Sequence, residues 1–144
     1  MEVTTYALRM AERYYNRETF MHALRTAEYT VQSPFIPDGR LGFCVALALM
    51  HDLVEDTAYR DRAIELCWRG GPCYDPYLYQ CLMLLSREKD TSYLDYIDEI
   101  RRGARDMPEA YIVKLADMKD HFAERDTLTP ELAEKYMEAL PHLL

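Results

Sequence analysis

A short segment near the middle of the chain, HDLVED, concentrates side chains that bind metals and move protons. It follows directly on the apolar segment Leu41–Met50 and contains His51, Asp52, Glu55 and Asp56. On a helix, Asp52 and Asp56 share one face because they are four residues apart, and His51 and Glu55 share the adjacent face. Placing such groups at the end of a buried helix costs free energy unless they are paired or hold a metal ion. We interpret the segment as the floor of a metal site.

Two further polar residues stand within otherwise apolar helical segments. His22 lies in FMHALRTAEYT, and Asp117 lies in YIVKLADMKDH. Two imidazoles and two carboxylates from His22, His51, Asp52 and Asp117 suit a divalent ion such as Mn²⁺, Fe²⁺ or Zn²⁺, with positions left for water or a substrate oxygen. Calcium would need more oxygen ligands. These residue types therefore indicate a transition-metal site.

Such a site would carry out phosphoryl chemistry. The ion would bind a phosphoryl oxygen, lower the pKa of a water molecule and offset charge in an in-line displacement. Glu55 and Asp56, one turn beyond the ligands, would orient or deprotonate the attacking water. The alternative is structural, since a lone His on an apolar helix is often a core residue and Asp117 could pair with Lys114 or Lys119. The occurrence of all these residues together favours the metal site.

Composition and charge restrict the class of protein. The chain has 144 residues, of which 49% are hydrophobic, and this is enough for one domain spanning residues 1–144. A net charge of −8 argues against binding to nucleic acids or anionic membranes. The N-terminal residues lack a signal pattern and no apolar run is long enough to cross a membrane, so we expect a cytoplasmic protein. The four cysteines form no C-x-x-C pair and are expected to be reduced.

Apolar periodicity and the positions of the prolines predict an all-α protein of about eight helices. No segment alternates with the period of a strand. The expected helices are Thr4–Asn16, Glu18–Gln32, Gly39–Glu55, Asp61–Trp68, Pro76–Arg87, Ser92–Ala104, Pro108–Arg125 and Pro130–Leu140.

Basic side chains must neutralise any phosphate substrate in so acidic a protein. The candidates from the sequence are Arg17, Arg25, Lys89, Lys114, Lys119 and Arg125. Each could equally be a solvated charge on a helix surface. Tyr93 and Tyr96, three residues apart, could line a pocket in part, although packing in the core is the simpler interpretation.

Five segments resemble the HD-superfamily hydrolase domain of RelA/SpoT-type alarmone enzymes, and the small stand-alone (p)ppGpp hydrolases in particular. They are HALRTAE, ALMHDLVEDT, LLSREKDTSYLDYI, VKLADMKDH and the closing KYMEALPHLL. The resemblance runs from about Tyr6 to the C-terminus and implies a single HD-domain helical bundle. It implies that His22, His51, Asp52 and Asp117 hold Mn²⁺, with Glu55 and Asp56 as the catalytic acidic pair. The implied reaction removes pyrophosphate from the ribose 3′ position of (p)ppGpp.

Two departures from the family pattern bear on substrate choice. The family usually has a basic loop with a Gly-x-Pro-Tyr stretch before the first ligand His, where this chain has Asn16–Met21. The family also tends to place Asn four residues after the last ligand Asp, where this chain has His121. His121 could contact ribose or phosphate, or coordinate the metal, and we group it with Arg17, Arg25 and Lys119 as a candidate substrate contact.

These departures keep other functions open. The chain could be an HD-domain phosphohydrolase of another nucleotide or phosphorylated metabolite, or a non-catalytic HD-fold module that binds a nucleotide or protein partner. The costly polar residues of the predicted site argue against the module. The sequence leaves the oligomeric state open.

Overall fold

The computed structural model describes residues 1–144 and is entirely helical, as the sequence predicts. Seven helices have nine or more residues: α1 (Val3–Tyr14), α2 (Arg17–Val31), α3 (Leu41–Met50), α5 (Pro76–Leu84), α6 (Tyr93–Arg102), α7 (Pro108–Ala123) and α8 (Pro130–Leu143). A single helical turn, α4 (Leu53–Asp56), follows α3, and two 3-10 helices cover Ala58–Asp61 and Ala63–Cys67. None of the helices is both long and apolar enough to span a membrane.

Local sequence signals determine where most helices begin. Pro76, Pro108 and Pro130 each occupy the first turn of their helices, where the missing N–H has no partner to lose. The side chain of Asn16 accepts a hydrogen bond from the Thr19 N–H over 2.8 Å and so caps α2. These three prolines therefore begin helices as the sequence predicts, whereas the last helix, expected to end at Leu140, continues through Pro141 to Leu143.

Two of the expected helices differ from the structure. The segment Asp61–Trp68, expected to be α-helical, instead lies in short 3-10 turns that bury Ala63 and Leu66. A short segment followed by Gly70 and Gly71 gains few α-helical hydrogen bonds, and 3-10 turns connect it to α5 at less cost.

The expected helix Gly39–Glu55 is interrupted where the site begins. α3 ends at Met50, because the Asp52 N–H donates to the Tyr15 hydroxyl over 3.2 Å instead of to a backbone carbonyl one turn earlier. The Ala48 carbonyl that would have accepted it binds the His51 side chain over 2.6 Å. Both ends of one helical hydrogen bond are thus replaced by side-chain contacts.

α3 lies at the centre of the bundle and is apolar nearly all round, with Ala46, Leu47 and Met50 fully buried. α1, α2, α5 and α7 pack around it, and α8 packs mainly against α6. α2 and α7 also contact each other extensively beside the C-terminal end of α3. This arrangement brings polar residues from all three helices to one place.

Candidate metal centre

Four side chains converge where α2, α7 and the end of α3 meet: His22, His51, Asp52 and Asp117. We call their facing atoms the donor quartet. His22 Nε2 lies 2.9 Å from Asp117 Oδ1 and 3.6 Å from Asp52 Oδ2. His51 Nε2 lies 3.2 Å from the same oxygen of Asp117 and 3.2 Å from the same oxygen of Asp52. Imidazoles and carboxylates therefore alternate around a common centre.

These separations fit the ligands of one ion. Donors bound at about 2.0–2.3 Å to a tetrahedral or octahedral ion lie roughly 2.8–3.7 Å apart along the edges of its coordination shell. The four separations of the donor quartet, from 2.9 to 3.6 Å, fall within this interval. The four residues expected from the sequence are therefore brought together: the donor atoms of His22, His51 and Asp52 all lie within 4.8 Å of one another, and Asp117 contacts both imidazoles of this group.

Hydrogen bonds on the far side of each imidazole set its protonation. His51 Nδ1 lies 2.6 Å from the Ala48 carbonyl oxygen, and His22 Nδ1 lies 2.6 Å from Asp120 Oδ2. Both partners only accept, so each Nδ1 carries the proton and each neutral ring turns its Nε2 lone pair toward the donor quartet. Lone pairs of nitrogen and carboxylate oxygen then face one another, and only added protons or a cation relieves their repulsion.

The pKa of His51 reflects this need for positive charge. Burial opposes the imidazolium, yet the charges of Asp52 and Asp117 raise the pKa of His51 well above its usual range. The pKa of His22 is also raised, as Asp117 outweighs the effect of burial. In the absence of metal, protons on the imidazoles would supply the positive charge that a divalent ion supplies when bound.

Asp120 belongs to the candidate site, and the sequence analysis missed it. It is buried, and besides its contact with His22 its Oδ1 accepts a hydrogen bond from Arg25 Nε over 2.8 Å. His22 and Arg25 are three residues apart on α2, and they face Asp117 and Asp120, three apart on α7. That matching i, i+3 spacing on two helices was the available signal. Arg25, expected to contact substrate, is paired with Asp120, lies 3.3 Å from Glu124 and also lines the cleft over His22.

Lys114 binds the outer oxygen of Asp117. Its ammonium group is buried and lies 2.7 Å from Asp117 Oδ2, while Oδ1 faces the imidazoles. Burial alone would raise the pKa of Asp117, but Lys114 and the three nearby imidazoles hold that pKa well below its usual range. The pairing that the sequence analysis offered as a structural alternative is thus present, and it leaves the other carboxylate oxygen available to the donor quartet.

His121 also reaches the site. Its Nε2 lies 3.1 Å from Asp117 Oδ1, and its ring stacks between those of His22 and Tyr136, each with 4.8 Å between ring centroids. Tyr136 comes from α8 and is buried. The C-terminal helix α8 therefore contributes one wall of the site.

Glu55 and Asp56 lie beside the donor quartet at the cleft surface. Asp52, Glu55 and Asp56 can bring one carboxylate oxygen each within 4.8 Å of one another. Burial, followed by the charges of Asp52 and Glu55, raises the pKa of Asp56 to about 6. The pKa of Glu55 is raised by burial and by Asp52, and its side chain accepts a hydrogen bond from the Arg87 N–H over 3.1 Å. The raised pKa of each carboxylate suits it to proton transfer.

Two clefts meet at the donor quartet. The larger cleft, of about 770 Å³, lies over His22 between α2 and the α7–α8 connection. Its charged lining residues are Arg17, Glu18, Arg25, Asp52, Asp56, Asp120, Glu124 and Asp126. The smaller cleft, of about 200 Å³, is lined by three basic residues, Arg87, Lys114 and Lys135. Burial and the charges of Arg87 and Lys114 lower the pKa of Lys135, so the basic groups of the smaller cleft repel one another.

The basic residues expected to bind substrate are distributed unevenly. Arg17 lines the larger cleft, and Lys89 lines a third cleft on the far side of Glu55 and Asp56. Lys119 is exposed away from all of these clefts, with its ammonium group 4.8 Å from the ring centre of Tyr29.

The other residues that the sequence suggested as substrate contacts also differ in whether they line a cleft. Arg125 is exposed, while Tyr93 and Tyr96 line the smaller cleft. Arg87 and Lys135, which the sequence analysis did not select, line the smaller cleft together with Lys114 and four carboxylates.

Comparison with known proteins gave no assignment: no protein-family model matches the chain, and no curated protein matches it.

Proposed function

We propose that the chain is a metal-dependent phosphohydrolase with an HD-type site, and that its substrate is (p)ppGpp. One observation carries the first part of this proposal. The donor quartet alternates imidazole and carboxylate at separations of 2.9 to 3.6 Å, and outward hydrogen bonds at both Nδ1 atoms turn each Nε2 toward the carboxylates. A divalent cation can replace the imidazole protons that otherwise offset the charge of these carboxylates.

Different residues would bind the metal ion and transfer protons. His22, His51, Asp52 and Asp117 would hold the ion, Mn²⁺ by resemblance to the family. When bound, such an ion supplies Lewis-acid activation of a phosphoryl oxygen and of the attacking water. Glu55 and Asp56 would orient that water and exchange its proton, and their raised pKa values suit this role.

The smaller cleft would bind the phosphates. A net charge of −8 repels a polyanion at long range, so local cations must reverse the potential at the site. Arg87 and Lys135 would serve this purpose, since they line the same cleft as Asp52 and Asp56, where a bound divalent ion would offset part of the charge of the carboxylates. The pyrophosphate to be removed would lie between these two cations and the donor quartet.

The larger cleft would bind the nucleoside. Its volume of about 770 Å³ is within the range of small-molecule sites. The choice of (p)ppGpp rests on the motifs HALRTAE, ALMHDLVEDT and VKLADMKDH. Rejection of a wrong base depends on buried polar groups that it would leave unpaired, and the carboxylates of Glu18, Glu124 and Asp126 are only partly buried or exposed. We therefore expect weaker discrimination for guanine over adenine than in relatives with the basic loop.

A second candidate follows from the acidity of the larger cleft. Glu18, Glu124 and Asp126 outnumber the free cation Arg17 there, because Arg25 is paired with Asp120. A substrate with fewer negative charges, such as a nucleoside monophosphate, would meet less repulsion. The alternative function is an HD-type phosphohydrolase of such a nucleotide.

Incubation of the Mn²⁺-loaded protein with ppGpp, its adenine analogue and a panel of nucleoside monophosphates tests the proposal. We expect GDP and pyrophosphate from ppGpp, and a smaller ratio of kcat/KM between the guanine and adenine compounds than in loop-containing relatives. Asp52→Asn should lose metal and turnover together. Turnover of monophosphates alone would favour the second candidate, and no turnover of any compound by metal-loaded protein would contradict both.

A further inference from the structure

We propose that His121 is a metal ligand, so that the site binds its ion through three imidazoles and two carboxylates. This inference rests on the proposed metal site and extends it by one donor. It starts from the position of His121 on α7, four residues after Asp117, which places both side chains on one face of the helix.

The contact geometry of Asp117 supports the additional ligand. Asp117 Oδ1 is surrounded by three imidazole nitrogens, at 2.9 Å from His22, 3.2 Å from His51 and 3.1 Å from His121. Donor atoms of His22, Asp117 and His121 all lie within 4.8 Å of one another. The nitrogen of His121 lies about as far from Asp117 Oδ1 as the imidazole nitrogens of the donor quartet do, so it could reach an ion from the side of His22 and Asp117.

The His121 ring is also held in place. It stacks on His22 with an interplanar angle of 29° and on Tyr136 with an angle of 20°. A ring held on both faces loses little further rotamer freedom when it binds an ion, so coordination would cost little conformational entropy. Tyr136 thereby connects α8 to the metal site through His121.

A third imidazole changes which ion the site prefers. Imidazole nitrogen suits Fe²⁺, Co²⁺ and Zn²⁺ better than it suits Mn²⁺, which favours oxygen ligands. With His121 bound, the preference for Co²⁺ over Mn²⁺ should be larger than the other four donors would give. If His121 only donates a hydrogen bond to Asp117 or contacts substrate, its removal should affect the two ions equally or not at all.

Metal titrations distinguish these roles without measuring activity. Metal-free wild type, His121→Asn and His121→Asp would each be titrated with Co²⁺ and with Mn²⁺, with circular dichroism to confirm folding. We expect His121→Asn to weaken Co²⁺ binding by at least about tenfold, since outer-shell changes alone often cost that much. His121→Asp should recover Mn²⁺ binding more than Co²⁺ binding, because it restores an oxygen donor. His142→Asn is the matched control, as His142 is an exposed imidazole paired with Asp98 on another surface.

The outcomes separate this inference from the proposed function. An unchanged ratio of Co²⁺ to Mn²⁺ affinity in both His121 variants would overturn the fifth ligand and leave the donor quartet intact. Absence of metal binding by the wild-type protein would overturn the metal site itself.

Discussion

Replacement of Asp120 by Asn tests whether the far side of His22 controls the metal site. Asp120 is 1% exposed and accepts hydrogen bonds from both His22 Nδ1 and Arg25 Nε. Asn offers one acceptor oxygen and an amide N–H₂ that would face one of these donors. The variant therefore loses one charge-assisted hydrogen bond and the negative charge that increases the basicity of His22.

The expected magnitudes follow from these contacts. Loss of a partner that orients a ligand histidine typically weakens metal binding about 10- to 100-fold, or about 1.4–2.7 kcal/mol. One hydrogen bond to a charged group contributes about 1.5–3 kcal/mol to folding, which corresponds to a melting temperature lower by roughly 4–12 °C in a chain of this size. Arg25 limits the loss, because it is 31% exposed and retains Glu124 at 3.3 Å.

Equilibrium dialysis with Mn²⁺ and thermal melts of the metal-free protein measure both quantities. Asp98→Asn is the matched control, since Asp98 binds His142 over 2.9 Å in an exposed pair that contributes little. Its Mn²⁺ affinity should equal that of the wild type. Asp120→Asn with Mn²⁺ affinity within twofold of wild type would refute the role assigned to Asp120.

Three further predictions concern the catalytic carboxylates, pH and the cations. Glu55→Gln should keep bound Mn²⁺ while turnover falls about 100-fold or more. Metal analysis and kinetics on one sample measure the two effects separately. Turnover equal to that of the wild type would exclude Glu55 from the mechanism. In the metal-free protein the pKa of Asp56 (raised to about 6) and the pKa of His51 are higher in the folded than in the unfolded state, so the folded state binds protons more tightly. The free energy of unfolding should therefore fall as pH rises through about 4–6, because of Asp56, and again above about 6.5, because of His51. Melts across this interval should show that slope, and Mn²⁺ should reduce it at the upper end because the ion replaces the protons. Lys135→Met should raise KM at least several-fold, whereas the control Lys119→Met should leave KM unchanged. Of the two, only Lys135 lines a cleft that meets the donor quartet. Equal effects on KM would contradict the placement of the phosphates.

The sequence predicted the all-helical class and brought the four residues of the donor quartet to attention. This was possible because His22 and Asp117 each interrupt an apolar periodic segment, where a polar group needs a reason to be buried. His51 and Asp52 were found in the same way, at the end of the most apolar helix. At such positions the apolar periodicity predicts that the side chain is buried, and the cost of burying a polar group indicates that it has a partner.

Features that depend on distant contacts could not be predicted. The end of α3 at Met50 is determined by the Tyr15 hydroxyl, which comes from a different part of the chain. Asp120 resembles any charged residue on a helix surface until α2 and α7 are seen to pack together. Arg87 lies in the connection between α5 and α6, whereas Lys135 lies on α8, so the two share a cleft only through the packing of distant parts of the chain.

The most direct test of the central claim is the location of the ion itself. Anomalous diffraction from crystals equilibrated with Mn²⁺ should give one strong peak bounded by His22 Nε2, His51 Nε2, Asp52 Oδ2 and Asp117 Oδ1, at about 2.0–2.3 Å from each. A peak elsewhere, or no peak at an Mn²⁺ concentration that saturates binding in solution, would contradict the assignment of these residues as a metal centre.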